Sequence, residues 1–466
     1  MNTTPATLTA PQDAIDALAG RVRGSVLRPG DEEFDTERAG FQTAATHRPS
    51  ILVGAADAAD VRAAVEFARD HGLPVAVQAT GHGLSVTAEG GVLISTRRMT
   101  GVSIDPETRT AWVEAGVRWD QVIAEAAPHG LAPLNGSAPH VGAVAYTLGG
   151  GISLLAREFG YASDHVRAID VVTADGVLRH VTPDSDADLF WALRGGQNNF
   201  GVVTGLRIDL VPVARVYGGG LYFGTDQVTD VLQAWREWTA TVPEELSSSV
   251  ALIRFPDLPR VPELLRGRYV AHVRIAYTGD EATGERLVEP LRAVGPRLMD
   301  TLAEMPYTES WSIYNDPTFP HPYLGTNALL RELDATAMPT VLDLVGPTAP
   351  VGCIVQVNHL GGALSREPEV ASAVGHRDAT YLVRLISILG TADEDTLLST
   401  QQGVLDALAP WTVGRSLNFL FGAKDADQVR AAYDPADYQR LAELKAEYDA
   451  ANTFRLNHNI PPAIAD

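Results

Sequence analysis

From residue 50 onward, short apolar runs alternate with amphipathic stretches. "SILVGAA" (50–56) and "LPVAVQA" (73–79) are nearly continuous apolar runs of strand length. Between them, "DVRAAVEFARDHG" places Val61, Val65 and Ala68 on one helical face and stops at Gly72. Strand, crossover helix and strand form a βαβ unit, so the two strands are expected to be parallel. The second strand runs into "TGHG", at the end of a parallel strand where ligands are favoured. Upstream, "PQDAIDALAGRVRG" predicts a helix. Downstream, "GVLISTRRM" and "TAWVEAGV" predict strands on either side of a "DPETRT" turn, and "RWDQVIAEAAPHG" predicts a helix ending at Gly130.

A glycine-punctuated stretch of small residues, 134–166, interrupts this regularity. "IDVVTADGVLRHVTP" then predicts a hairpin through Asp-Gly, "DADLFWALRGG" a short helix and "FGVVTGLRIDLVPV" a long strand. The texture changes near "YGGGLYF". From there to about residue 415, "GRYVAHVRIAYTG", "GCIVQVNHLGG" and "ATYLVRLISI" predict strands, and "DQVTDVLQAWREWTATV" a helix. That mixture predicts an antiparallel sheet with helices on one face. "DYQRLAELKAEYDAANTF" predicts a helix near the end.

The chain has 466 residues, more than one hydrophobic core organises, so two lobes are expected. Its net charge of −22 argues against a nucleic-acid partner, since that affinity comes from Lys and Arg neutralising phosphates. The single cysteine, Cys353, excludes an intramolecular disulfide and any site built from several thiolates. No basic-then-apolar leader opens the chain, and no apolar run is long enough to span a bilayer. A cytoplasmic protein without a membrane partner is the expectation. No HExxH or histidine cluster points to a metal, and none is expected. Walker, GxGxxG and GxSxG patterns are also absent from the contexts that would give them meaning.

What remains is glycine. His82 sits between Gly81 and Gly83. Gly149, Gly150 and Gly151 precede "ISLLAREFG", and "LRGGQNNFGVV" turns into a strand. A lone histidine in a turn is more often a local hydrogen-bonding residue, and a glycine triplet more often a tight turn. Three glycine-rich turns within about 125 residues instead suggest a large cofactor lying against bare backbone.

In order, "VQATGHG", "LNGSAPHVGAVAYTLGGGIS", "FGYASDHVRAIDVVTADG", "FWALRGGQNNFGVVT" and the C-terminal "YQRLAELKAEYDAANTFRLNHNIPP" resemble the vanillyl-alcohol oxidase superfamily, with its PCMH-type FAD-binding domain. The resemblance is narrower to the berberine-bridge-enzyme-like, FAD-linked oxidases and runs from about residue 45 to the end. It implies an α+β fold of two lobes. An FAD-binding domain spans 1–215 (core 45–215), and a substrate domain, an antiparallel sheet covered by helices, spans 216–415. A C-terminal segment, 416–466, returns to the first lobe. It implies FAD bound covalently through His82. Cofactor contacts carried over are Thr80, Gly81, Gly83, Leu84, Ser85, Gly142, Tyr146, the triplet Gly149, Gly150 and Gly151, then Gly160, Asp164, Val166, Gly201, Val203 and Asn459. A second covalent bond is not expected, because Ala138 stands where many relatives have cysteine.

There are departures. Gln197 and Asn198 replace family glycines. His165 stands where asparagine is common, and Ser416 replaces the tyrosine that often serves as acid or base. The stretch "RSLNFLFG" supplies Asn418 as the matched asparagine. Strand alternation groups His359 with Val357 and Tyr381 with Val383; with Asn418, His359 and Tyr381 are the catalytic candidates. His359 is equally readable as a hydrogen-bonded sheet residue. The activity implied is an oxidase that takes a hydride from a small-molecule substrate (an alcohol, an amine or a secondary-metabolite intermediate) and passes electrons to oxygen. A dehydrogenase with another acceptor and a flavin-retaining binding protein stay open, as does monomer against homodimer.

Overall fold

A computed structural model describes residues 10–422 and 425–464. The described residues form an α+β fold with three sheets. The first has four strands in the order Ser25–Leu27, Ile51–Gly54, Val92–Ser95, Val75–Gln78. Its last three strands are parallel. The two strands of the βαβ unit are therefore parallel as expected, but Val92–Ser95 lies between them. The crossover helix, Ala58–Asp70, is capped by the Asp57 carboxylate, which accepts from the backbone of Ala59 and Asp60. Buried Asp60 accepts backbone N–H groups from Arg23, Gly24 and Ala56, at 2.8, 2.9 and 2.9 Å. That satisfies a carboxylate that burial would otherwise penalise.

The second sheet has five antiparallel strands: Val102–Asp105, Thr110–Glu114, Val202–Asp209, Val166–Val172 and Leu178–Val181. The Asp-Gly hairpin forms as predicted. The "DPETRT" turn instead joins Thr110–Glu114 to Val102–Asp105, a strand the pattern missed.

The third sheet has nine antiparallel strands. Its centre runs Arg215–Phe223, Tyr269–Tyr277, Leu246–Arg254, Ile354–His359, Tyr381–Ile388, Tyr323–Leu330. One face is apolar: Val250, Val273, Val355, Val357, Val383 and Leu385 are buried against helices that include Val228–Thr239 and Glu394–Leu408. The alternate residues form the other face. Arg274, Ser249 and Asn358 stand on one cross-strand row, Gln356 and Arg384 on the next. Strands alternate faces, so an apolar underside leaves a polar upper surface. Among the described residues, no helix is long and apolar enough to cross a membrane.

The last helix, Pro435–Tyr448, and the tail after it pack on the first half of the chain. Lys445 is fully buried; it pairs with Asp449 at 2.7 Å and donates to the carbonyls of Asn199 and Phe454. Asn199 in turn donates to His458 O at 3.0 Å and accepts from Ile460 N at 2.9 Å.

Candidate functional site

A cavity of about 360 Å³ opens between the glycine turns of the first half and the polar face of the large sheet. Its floor is the turn that follows Val75–Gln78. Gly81 has a left-handed φ of +69°, and a Cβ there would stand 2.6 Å from Gly40 Cα, so only glycine fits. The turn is pinned from outside. Phe41 N donates to Thr80 O at 2.9 Å, Gln42 N to Gly81 O at 3.0 Å, and the Tyr323 hydroxyl to His82 O at 2.7 Å.

His82 projects into this cavity. Its Nδ1 lies 2.8 Å from Thr80 Oγ1, which accepts from Gly142 N, and its ring stacks on Phe41 with centroids 4.0 Å apart. Nε2 is buried with no hydrogen-bond partner. Burial, with His140, His321 and Arg118 nearby, pushes the imidazole down to about 3, so it is neutral at pH 7. A neutral ring with a partnerless nitrogen can act as a nucleophile.

The cavity brings together ten of the sequence-predicted site residues: Thr80, Gly81, His82, Gly83, Leu84, Ser85, Gly142, Tyr146, Val203 and Asn418. Where a Cβ on Gly83 would stand there is open space, so its bare backbone faces the cavity. Asn418 donates to Tyr146 O at 2.9 Å, which fixes its amide.

The triplet lies one layer back and does not line the cavity. A Cβ on Gly149 would fall 2.0 Å from Asn418 Oδ1, and one on Gly151 would fall 2.5 Å from the Tyr146 ring. The triplet's bareness is thus used for packing Asn418 and Tyr146, which do line the cavity. Gly160, Asp164, Val166, Gly201 and Asn459 are also set back. Asp164 pairs with Arg377 at 2.7 Å, and Gly201 packs on Val171 and Val172.

His359 and Tyr381 are not at the cavity. The parity that groups them with Val357 and Val383 is correct, but that set faces the covering helices. His359 Nε2 meets Arg157 Nη1 at 2.9 Å, and Tyr381 is bonded to Thr239 Oγ1 at 2.7 Å. Burial and Arg157 push His359 down to about 3.

The polar face supplies residues the sequence reading missed. Asn358, next to His359, lines the cavity, as do Arg384 and Ile386, next to Leu385. The buried valines on the opposite parity were the available signal. Tyr314 and Asp316 come from an irregular segment and carried no signal. The Tyr314 hydroxyl oxygen accepts from Ser249 Oγ at 3.0 Å and Asn358 Nδ2 at 3.3 Å, and the Arg274 guanidinium lies 4.5 Å from its ring centroid. Asp316 accepts from Ser137 Oγ at 2.6 Å.

Of the departures, Gln197 and Asn198 are at the cavity, and His165 and Ser416 are not. Gln197 holds φ +55°, in the region glycine favours, and its Oε1 lies 3.1 Å from His458 Nδ1. Ala138 lines the cavity too. Cys353 lies in the core under the large sheet, its thiol pushed up to about 11 by burial. Among the described residues no cluster of three or more His, Cys, Asp or Glu could hold a metal.

The chain is similar to known proteins. The FAD binding domain family matches residues 49–182, and the family described as berberine and berberine like matches residues 419–461. The chain is 28% identical over 457 residues to an FAD-linked oxidoreductase of Dictyostelium discoideum, covering 96% of this chain and 97% of that one. It is also 28% identical over 461 residues to (R)-6-hydroxynicotine oxidase of Paenarthrobacter nicotinovorans, covering 95% and 97%. The crystal structure of 6-hydroxy-D-nicotine oxidase from Arthrobacter nicotinovorans superposes with a TM-score of 0.80 at 27% identity, over 95% of this chain and 98% of that one. A xylooligosaccharide oxidase from Myceliophthora thermophila, 22% identical, shares the fold with a TM-score of 0.85, over 97% of this chain and all of that one.

Proposed function

We propose that the chain, matched by FAD-binding and berberine-like family models and similar along its length to FAD-linked oxidoreductases, is an oxidase of small organic molecules, with FAD attached through His82. The observation that carries the reading is His82: neutral, partnerless at Nε2, and held at the floor of the cavity. Its fit to a flavin is supported by the bare backbone of Gly83 beside it. In this reading residues 1–215 and the returning segment 416–466 hold the cofactor, and 216–415 cover it. FAD, when bound, accepts a hydride from the substrate and is reoxidised by oxygen, giving hydrogen peroxide.

The chain's own residues then have three tasks. His82 holds the cofactor by an imidazole nitrogen, with Thr80 and Phe41 fixing the ring. Asn418, locked on Tyr146 O, orients the groups meeting at the centre of the cavity. Tyr314, in its phenolate form, takes the substrate's proton as the hydride leaves, becoming the neutral phenol. Ser249 and Asn358 both donate to that oxygen, which supports the charged form, and the Arg274 guanidinium lies over the ring. This replaces the role first expected of His359 or Tyr381.

The test is anaerobic bleaching of the yellow protein by a metabolite library, followed by admission of air. Bleaching, then recovery of colour with release of peroxide, is expected. Recovery only with an artificial acceptor would make the protein a dehydrogenase. Absence of flavin from the purified protein would refute the reading.

A further inference from the structure

Arg384 is a cavity group to which the proposed oxidation assigns no task. It stands on Tyr381–Ile388, opposite Gln356 on one neighbouring strand and Asn327 on the other. The arginines around it are anchored. Arg274 donates to Gln356 Oε1 at 2.8 Å and His272 Nδ1 at 3.2 Å, and Arg415 donates to Asn327 O. Arg384, among the described residues, makes no hydrogen bond and no ion pair, and its Nε is buried without a partner. Its guanidinium lies over the Phe419 ring, 3.9 Å from the centroid, which sets the plane of the fork. Asp316 is within electrostatic reach, but its carboxylate is hydrogen-bonded to Ser137 instead.

A guanidinium keeps its charge at ordinary pH, and a desolvated charge without a counter-ion is costly. Something that enters the cavity must complete it. We propose that Arg384 receives the carboxylate of the substrate, so that the substrates are small organic acids with an aromatic or apolar body. The proposal rests on reading this cavity as the site of oxidation.

A monoanion fits better than a phosphate. Arg384 is the one arginine or lysine among the described residues lining the cavity, and His82 and His140 are both held below their ordinary values by burial. Asp316 would repel a second negative charge. The fork pairs with a carboxylate through two parallel bonds, a geometry a lysine does not reproduce. Tyr314, Tyr323, Phe419 and Ile386 offer the flat and apolar walls for the body of such an acid.

The experiment compares benzoate with benzamide, alike in shape and different in charge, by titration calorimetry on the FAD-loaded protein at constant ionic strength. Benzoate is expected to bind at least about tenfold more tightly. Arg384→Gln should weaken benzoate by about thirtyfold or more and leave benzamide unchanged, with Arg384→Lys between them. Equal binding of the two probes to the wild type would overturn the proposal. So would benzoate affinity surviving in Arg384→Gln, or flavin and benzoate being lost together, which would assign the arginine to the cofactor. Should the glutamine variant not fold, the wild-type pair and the lysine variant decide. Failure of the oxidase reading looks different: benzoate still binds through Arg384, but the protein carries no flavin or no acid or neutral compound bleaches it.

Discussion

The turn at residues 79–85 and the end of the strand Ile354–His359 each carry one half-buried histidine, and in both desolvation pushes the imidazole down to about 3. Each ring also has a buried nitrogen without a hydrogen-bond partner, Nε2 in His82 and Nδ1 in His359. What separates them is where the ring points. His82 faces the cavity, backed by a glycine turn that no side chain obstructs. His359 faces Arg157 and Tyr381 on the helix-covered side of the sheet, with the Tyr381 ring centroid 5.7 Å away. A perturbed titration is therefore a poor guide to function here, because burial is the largest cause of it at both positions.

Exchanging the two histidines' fates is the strongest way to break this comparison. His82→Ala should abolish flavin that stays with the acid-denatured protein. His359→Ala should keep it in full, as judged by the colour of the pellet. Next in size is the pair of tyrosines. Tyr314→Phe should slow anaerobic flavin reduction by about a hundred- to ten-thousand-fold, the usual cost of losing a general base. Tyr381→Phe should leave that rate within a few-fold and cost about 1 kcal/mol of stability, for the bond to Thr239. A stopped-flow trace and a denaturant titration read the two effects separately.

A smaller effect concerns acid. Unfolded His359 binds a proton below its ordinary value of 6.5, while the folded residue does so only near 3. Between those values the unfolded chain holds more protons, so stability falls as pH falls through that window. His359→Asn should flatten the decline by up to about 1.4 kcal/mol per pH unit. An unchanged slope from denaturant titrations at a series of pH values would mean the ring is not held neutral. Smallest of all, Cys353→Ser should leave flavin content and spectrum unaltered, since that thiol lies in the core under the sheet.

Local period made much of the fold readable. The crossover helix with its stop, the Asp-Gly hairpin and the antiparallel sheet backed by helices all follow from spacing and turn residues. Partner choice did not. Nothing in "GVLIS" announces that Val92–Ser95 inserts between two other parallel strands, because that pairing is settled by distant residues. The site was legible in the same uneven way. The turn around His82 carries its own signal, since Gly81 is required by its backbone. Alternation grouped His359 with Val357 correctly, yet a period of two says which residues share a face and not which face is covered. The covered face was marked by Val355, Val357, Val383 and Leu385, and that leaves Asn358, Arg384 and Ile386 for the cavity. Tyr314 and Asp316 sit on an irregular segment with no period to read. The glycine triplet looked like a cofactor cradle because packing and ligand approach both demand a missing side chain.

The most direct test is to digest the purified protein with trypsin and locate the flavin by mass spectrometry. The account predicts flavin on a single peptide, the one containing His82, with fragmentation placing it on that ring. Flavin attached at any other residue would contradict it, as would a digest in which all flavin is free.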